Sequence, residues 1–240
     1  MSGLPSPAFK VVIFDYDGTL FDTRPAIMHC IARTFEECGR AVPGANAVAL
    51  SVQTGATLAD TLLLLDAGLP RQDAELEELV ATYRKLYRRH GARLARPFPG
   101  VTETLERLQH HGMTCAIVSN KGIEAIRMSL DEAGLEPLVD FVLGDEPGVP
   151  RKPDPAVMTD VILPRYAGTR REEILTVGDT ELDILFARRA GMSSCWASYG
   201  YGDLEKCRNL APDYEISGIE QLPSAVLRQR PTKMRDEICP

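Results

Sequence analysis

The sequence predicts an α/β protein: a parallel sheet covered by helices on both faces and interrupted by an all-helical insert. Three observations predict it. From about residue 94 onward, short apolar runs alternate with amphipathic stretches, the pattern of parallel strands joined by helical crossovers. Between residues 23 and 93 the periodicity is helical and no convincing strand occurs. One apolar run, at 9–14, stands alone before that block, so its sheet partners must come from beyond it. The expected division is a discontinuous α/β core of residues 1–22 and 94–230, a helical cap of residues 23–93, and a C-terminal tail of residues 231–240.

The elements follow in order. Residues 1–8, rich in Ser, Pro and Gly, read as a loose tail. "FKVVIF" (9–14) is short, apolar and rich in β-branched residues, hence a buried strand. From Thr23 to Gly39 the period changes: Ile27, Ile31 and Phe35 recur every fourth residue, Thr23 can cap, Pro25 sits in the first turn and Gly39 closes a helix. "TLADTLLLLDAG" (57–68) is a second helix closed by glycine. In "QDAELEELVATYRKLYRRHG" (72–91), Asp73 can cap, glutamates crowd the start and arginines the end, as the helix dipole favours. Leu76, Leu79, Val80, Tyr83, Leu86 and Tyr87 form its apolar stripe. After "RPFPGV" (96–101) come a helix (101–111), a strand (113–120), a helix (122–134), a strand (140–145), a helix after Pro155, a strand (173–179), a helix (180–190) and a strand (193–198). A weak strand (213–216) and a terminal helix complete a Rossmann-like core.

Composition bounds the function. A net charge of −7 disfavours non-specific nucleic-acid binding and docking on an anionic membrane. No run approaches 18 apolar residues, and the N-terminus lacks the charged and apolar regions of a signal peptide. The six cysteines show no C-x-x-C pair and read as reduced thiols. A cytoplasmic protein is expected.

Ligands in such sheets bind outside the carboxyl ends of the strands, and each strand here ends in something reactive. "VVIFDYDGT" delivers Asp15 and Asp17; "VSN" delivers Ser119 and Asn120; "RKPDP" carries Lys152; "VGDTELD" carries Asp179 and, four residues on, Asp183. If Thr180 opens a helix, Asp179 and Asp183 share its N-terminal end. Two carboxylates as close as Asp15 and Asp17 repel unless a cation or proton lies between them, which points to a metal site or an acid–base device. Taken singly, each element has a structural explanation as a turn, a helix cap or a surface lysine. An ordered set at four strand ends does not.

That set resembles the haloacid dehalogenase-like hydrolase superfamily. The helical block after the first strand is similar to the cap of its phosphoglycolate phosphatase and β-phosphoglucomutase members. The resemblance implies that Asp15 is the nucleophile, forming an aspartyl-phosphate, and that Mg²⁺ relieves the repulsion between carboxylate and phosphate. Its implied ligands are Asp15, Asp179 and the backbone carbonyl of Asp17, with Asp183 acting through water. Asp17 would protonate the leaving group and then activate water. Ser119, the amide of Asn120 and Lys152 would hold the phosphate oxygens, with Gly18 and Thr19 of the first loop close by. The stretch "QTGATL", with Thr54 and Gly55, is similar to the cap loop that reaches the site. Arg24, His29 and Arg33 are candidates for a substrate's second polar group. Tyr16 is expected to face away from the acids. The implied partner is a small phosphorylated metabolite; whether the chain is a monomer or a homodimer stays open. So do two alternatives: a phosphomutase of the β-phosphoglucomutase kind, and a non-catalytic relative that binds a phosphorylated ligand.

Overall fold

The computed structural model describes residues 8–71 and 73–227. The expected terminal tails (except Ala8), Cys239 and Gln72 at the start of one expected helix lie outside the described residues.

Strand β1 is Val11–Phe14, followed by the two-residue strand β2, Phe21–Asp22. The insert then runs through α1 (Arg24–Glu37), α2 (Ala45–Val52), α3 (Leu58–Leu65), α4 (Ala74–Leu86), a wider π-type turn at Tyr87–Gly91 and α5 (Ala92–Leu94). The chain re-enters through β3 (Arg96–Pro97), antiparallel to β2. Next come α6 (Val101–His110), β4 (Thr114–Gly122), α7 (Ile123–Ala133) and β5 (Phe141–Asp145). A π-type segment, Val157–Ile162, leads into α8 (Leu163–Arg165). Then follow β6 (Ile174–Gly178), α9 (Glu181–Ala190), β7 (Ser193–Ala197), α10 (Leu204–Asn209), β8 (Tyr214–Ile216) and α11 (Leu222–Leu227).

The main sheet has six strands in the order β5-β4-β1-β6-β7-β8, each neighbouring pair parallel. Strand β1 is central and buried on both faces. Val12 and Phe14 pack on one side with Cys115, Ile117, Leu175 and Val177. Val11 and Ile13 pack on the other with Val118, Ile162 and Phe186. An uninterrupted apolar run is what a doubly covered strand requires. Phe14 stands level with Ile117 and Val177. The residues just past this level, Asp15, Ser119 and Asp179, therefore leave the sheet at one edge.

The structure departs from the expected elements in a few places. Helix α2, over "ANAVALSV", was not expected as a separate element; nor were α10 and the β2–β3 ribbon. The expected helix at 72–91 changes winding at Tyr87. The helix expected after Pro155 is mostly π-wound and carries Pro164 in its last turn; proline has no N–H to close an α turn. Cys30, Cys38, Cys115, Cys195 and Cys207 are free. Among the described residues no helix is long and apolar enough to cross a membrane.

Candidate active site

The strand ends build the site. Asp15 continues β1 by donating its N–H to the carbonyl of Val177 (2.8 Å), and its side chain is buried. Lys152 reaches it from the loop after β5: Nζ lies 2.7 Å from Asp15 Oδ1 and 2.5 Å from Asp183 Oδ1. Asp183 is oriented by its own helix. At the start of α9 its Oδ2 accepts from the N–H (3.1 Å) and hydroxyl (2.8 Å) of Thr180, a reciprocal N-cap arrangement. Asp179 is held on both oxygens, by the Thr19 hydroxyl (3.1 Å) and the Tyr201 N–H (2.7 Å). The indole of Trp196 donates to its backbone carbonyl (3.0 Å).

Room for Asp179 comes from glycine. Gly18 has φ +75°, and a Cβ there would run into the Asp179 carboxylate. A Cβ on Gly200 would stand 2.5 Å from Asp179 Oδ2 and 2.5 Å from the Gly18 carbonyl.

Asp15, Asp179 and Asp183 each bring a carboxylate oxygen within 4.8 Å of the others, and all three are buried. Burial, with Asp183 adding to it and Lys152 opposing it, pushes Asp15 up to about 6. Burial, then Asp15 and Asp183, push Asp179 well above the usual carboxylate range. Burial opposes the charge on Lys152, but Asp15 and Asp183 outweigh it and keep the ammonium above its ordinary range. When all three carboxylates are ionised, one lysine leaves two negative charges unmatched. Three buried, converging carboxylates fit one hard divalent cation, and all-oxygen donors disfavour zinc.

The remaining expected residues are distributed as follows. Ser119 is buried and its hydroxyl accepts from the Lys121 N–H (3.3 Å). The Asn120 side chain donates to the carbonyls of Gly55 and Lys152, both at 3.1 Å, and so ties the cap loop to the core. Gly55 (φ +63°) lines the cavity; a Cβ on it would meet the Thr180 hydroxyl at 3.0 Å. Thr54 is exposed, with its hydroxyl donating to the Ser51 carbonyl (2.7 Å), and is not among the lining residues. Thr19 spends its hydroxyl on Asp179. Arg24 lies over the Tyr201 ring (4.3 Å), Arg33 pairs with Glu36 and Glu37, and His29 packs edge-on against His90; none of the three lines the cavity.

Two residues were not assigned from sequence. Lys121 directly follows the Ser-Asn pair at the end of "VSNK", and its ammonium binds both Asp17 oxygens at 2.9 and 3.3 Å. Tyr201, in "YGYG", uses its hydroxyl at the cap's root: it accepts from the N–H groups of Thr23 (2.7 Å) and Arg24 (2.9 Å) and donates to Asp22 (2.6 Å).

The cavity above these residues holds about 400 Å³. Arg84 and Arg88 of the cap stand at its wall and pair across it with Asp145 (3.6 Å) and Glu124 (3.3 Å) of the core.

Residues 12–197 match the family model for haloacid dehalogenase-like hydrolases. The chain belongs to that family. Two similar curated relatives are the pyrophosphatase PpaX of Halalkalibacterium halodurans, 31% identical over 89% of this chain and 94% of the relative, and the phosphoglycolate phosphatase of Aquifex aeolicus, 31% identical over 87% and 92%. A solved structure from Bacteroides fragilis, assigned to the haloacid dehalogenase-like hydrolases, superposes with a TM-score of 0.80 at 26% identity, covering 89% of this chain and 99% of that one. The α/β sheet with its helical cap is the fold of the family, and the chain is a phosphatase within it, a hydrolase of phosphoric monoesters.

Proposed function

We propose that this phosphatase is Mg²⁺-dependent, acts on a small phosphorylated metabolite in the cytoplasm, and works through an aspartyl-phosphate on Asp15. The observation that carries the reading is the buried cluster of Asp15, Lys152, Asp179 and Asp183, which presents a fixed carboxylate beside a site for one divalent cation. When bound there by Asp15, Asp179 and the Asp17 carbonyl, with Asp183 beside them, the cation would offset the repulsion between carboxylate and phosphate. Lys152 fixes the orientation of the Asp15 carboxylate through Oδ1. Ser119, the amide of Asn120, and Lys152 are proposed to receive the phosphate oxygens, where charge spreads in the transition state. Gly18 lets the first loop pass close to them. Asp17 supplies a proton to the leaving oxygen and later takes one from the attacking water.

The cavity volume suits a small metabolite, and the cap's contacts with Asn120, Asp145 and Glu124 support exclusion of water during the first step. The names of the relatives put 2-phosphoglycolate and pyrophosphate first in a turnover panel.

The test is a pair of variants under Mg²⁺. Asp15→Asn should form no phosphoenzyme. Asp17→Asn should lose about 10² to 10⁴ in turnover. With p-nitrophenyl phosphate, whose leaving group needs little protonation, it should accumulate a phosphoenzyme trappable by borohydride. Excess EDTA should abolish turnover and Mg²⁺ restore it. Turnover by Asp15→Asn, a label on Ser119, or full activity in EDTA would overturn the proposal. A positional isomer in place of free phosphate would turn it into a mutase.

A further inference from the structure

Asp17 is not free in the cavity. It sits at the edge of the site with its carboxylate about a quarter exposed, and Lys121 grips both of its oxygens at 2.9 and 3.3 Å. Among the described residues no other side chain bonds that carboxylate. The lysine is itself caged: its side chain is 8% exposed, and Nζ stands 4.3 Å from the ring centre of Tyr87 and 5.6 Å from that of Tyr16. Tyr87 comes from the cap and Tyr16 from the loop between the two acids, stacked on Phe21 at 4.7 Å. Tyr16, expected only to face away from the acids, lies beside the residue that holds one of them.

Backbone geometry aims the lysine. Strand β4 continues past Asn120 to Gly122, and its pairing with β5 is interrupted between Val118 and Gly122. Ser119 and Lys121 both line the cavity. The pair also stands apart in charge. Lys152 serves Asp15 and Asp183, while Lys121 and Asp17 neutralise each other. Lysine carries long flexible rotors, and ordering one costs entropy; two aromatic faces and a bidentate partner remove that freedom before any substrate arrives.

We propose that Lys121, caged by Tyr87 and Tyr16, is a positioning residue that fixes the Asp17 carboxylate for proton transfer. It acts on the reaction only through Asp17. Steps that use Asp17 depend on it, and steps that do not are spared. This rests on the aspartyl-phosphate reading, and the experiment separates the two.

The experiment compares wild type, Asp17→Asn, Lys121→Met and Lys121→Arg under saturating Mg²⁺. Methionine keeps the length and apolar stem of lysine, and Asp17, partly exposed, can take water in place of the ammonium. Thermal melts report whether each variant is folded. With p-nitrophenyl phosphate the first step needs no acid, whereas water attack still needs the Asp17 base. Lys121→Met should lower kcat by about 10²-fold, the cost of roughly ångström-scale misplacement, lower KM with it so that kcat/KM changes little, and raise the trapped phosphoenzyme toward the level of Asp17→Asn. Lys121→Arg, which restores charge and a forked donor, should recover most of the loss. A purely structural role would slow both steps together and leave the trapped fraction unchanged. That result overturns the inference, as does a raised KM at normal kcat, which would make Lys121 a substrate ligand. Phosphoenzyme with Asp17→Asn but none with Lys121→Met also refutes it. No phosphoenzyme in any variant removes the aspartyl-phosphate reading, and this inference with it.

Discussion

Replacing Lys152 by methionine takes one positive charge out of a cluster with three carboxylates. The lysine side chain is 3% exposed, and its ammonium touches Asp15 at 2.7 Å and Asp183 at 2.5 Å, so bulk water cannot take its place. Removing one partner of a buried ion pair costs about 3–5 kcal/mol, because the other charge is left stranded. In a chain of this size each kcal/mol moves the melting midpoint by about 2–4 °C. The metal-free variant should therefore melt roughly 6–20 °C below wild type at pH 7.5, read by circular dichroism. At pH 5 the deficit should shrink. Burial already lifts Asp15 to about 6, and losing Lys152 lifts it further, so protons neutralise the stranded carboxylates. The double variant Lys152→Met/Asp183→Asn should melt above Lys152→Met, since one stranded charge is gone and the two changes share a contact. An unchanged midpoint in Lys152→Met, or a double variant that falls by the full sum of the singles, would refute the charge argument.

Two further outcomes follow from the same geometry. Asp15 and Asp179 are raised above their unfolded values, so both favour the metal-free fold at acid pH, and the Asp15 contribution is lost as pH rises through about 6; Mg²⁺ should raise the midpoint strongly at pH 7.5 and little at pH 5 in differential scanning fluorimetry. Gly18→Ala places a Cβ against the Asp179 carboxylate and 2.9 Å from the Tyr201 ring at φ +75°, so it should weaken Mg²⁺ binding and cut turnover by about 10²-fold, measured by metal titration of the midpoint and by steady-state rates.

Most of the sheet was legible because its strands are doubly buried. "VVIF", "CAIV" and "ILTV" have no polar face to blur the signal, and the strands formed within a residue or two of the expected spans. The convergence of Asp15, Ser119, Asp179 and Lys152 was legible for a topological reason: parallel strands send all their carboxyl ends to one edge. Lys121 was not, because a lysine after a strand is ordinarily solvated. Only the fold brings Asp17, 104 positions away, within 2.9 Å. The β2–β3 ribbon escaped because two residues carry no periodicity. Its pairing of Asp22 with Arg96 spans the whole insert. Tyr201 escaped because it donates to Asp179 and Asp22 and accepts from the N–H groups of Thr23 and Arg24, contacts that local sequence cannot encode.

That ribbon has a consequence for how such a molecule can be rebuilt. The chain leaves the sheet at Asp22 and returns at Arg96, and these two residues face each other across one antiparallel pair. Antiparallel neighbours can be bridged by a two-residue turn. The seventy-odd residues between them are thus a cassette whose ends already meet. It can be excised and sealed with Asn-Gly, or exchanged for a different cassette, without re-routing any strand of the main sheet. The graft would lose Tyr87 and with it one wall around Lys121, while Lys152, Asp15, Asp179 and Asp183 would keep every bond they make to one another.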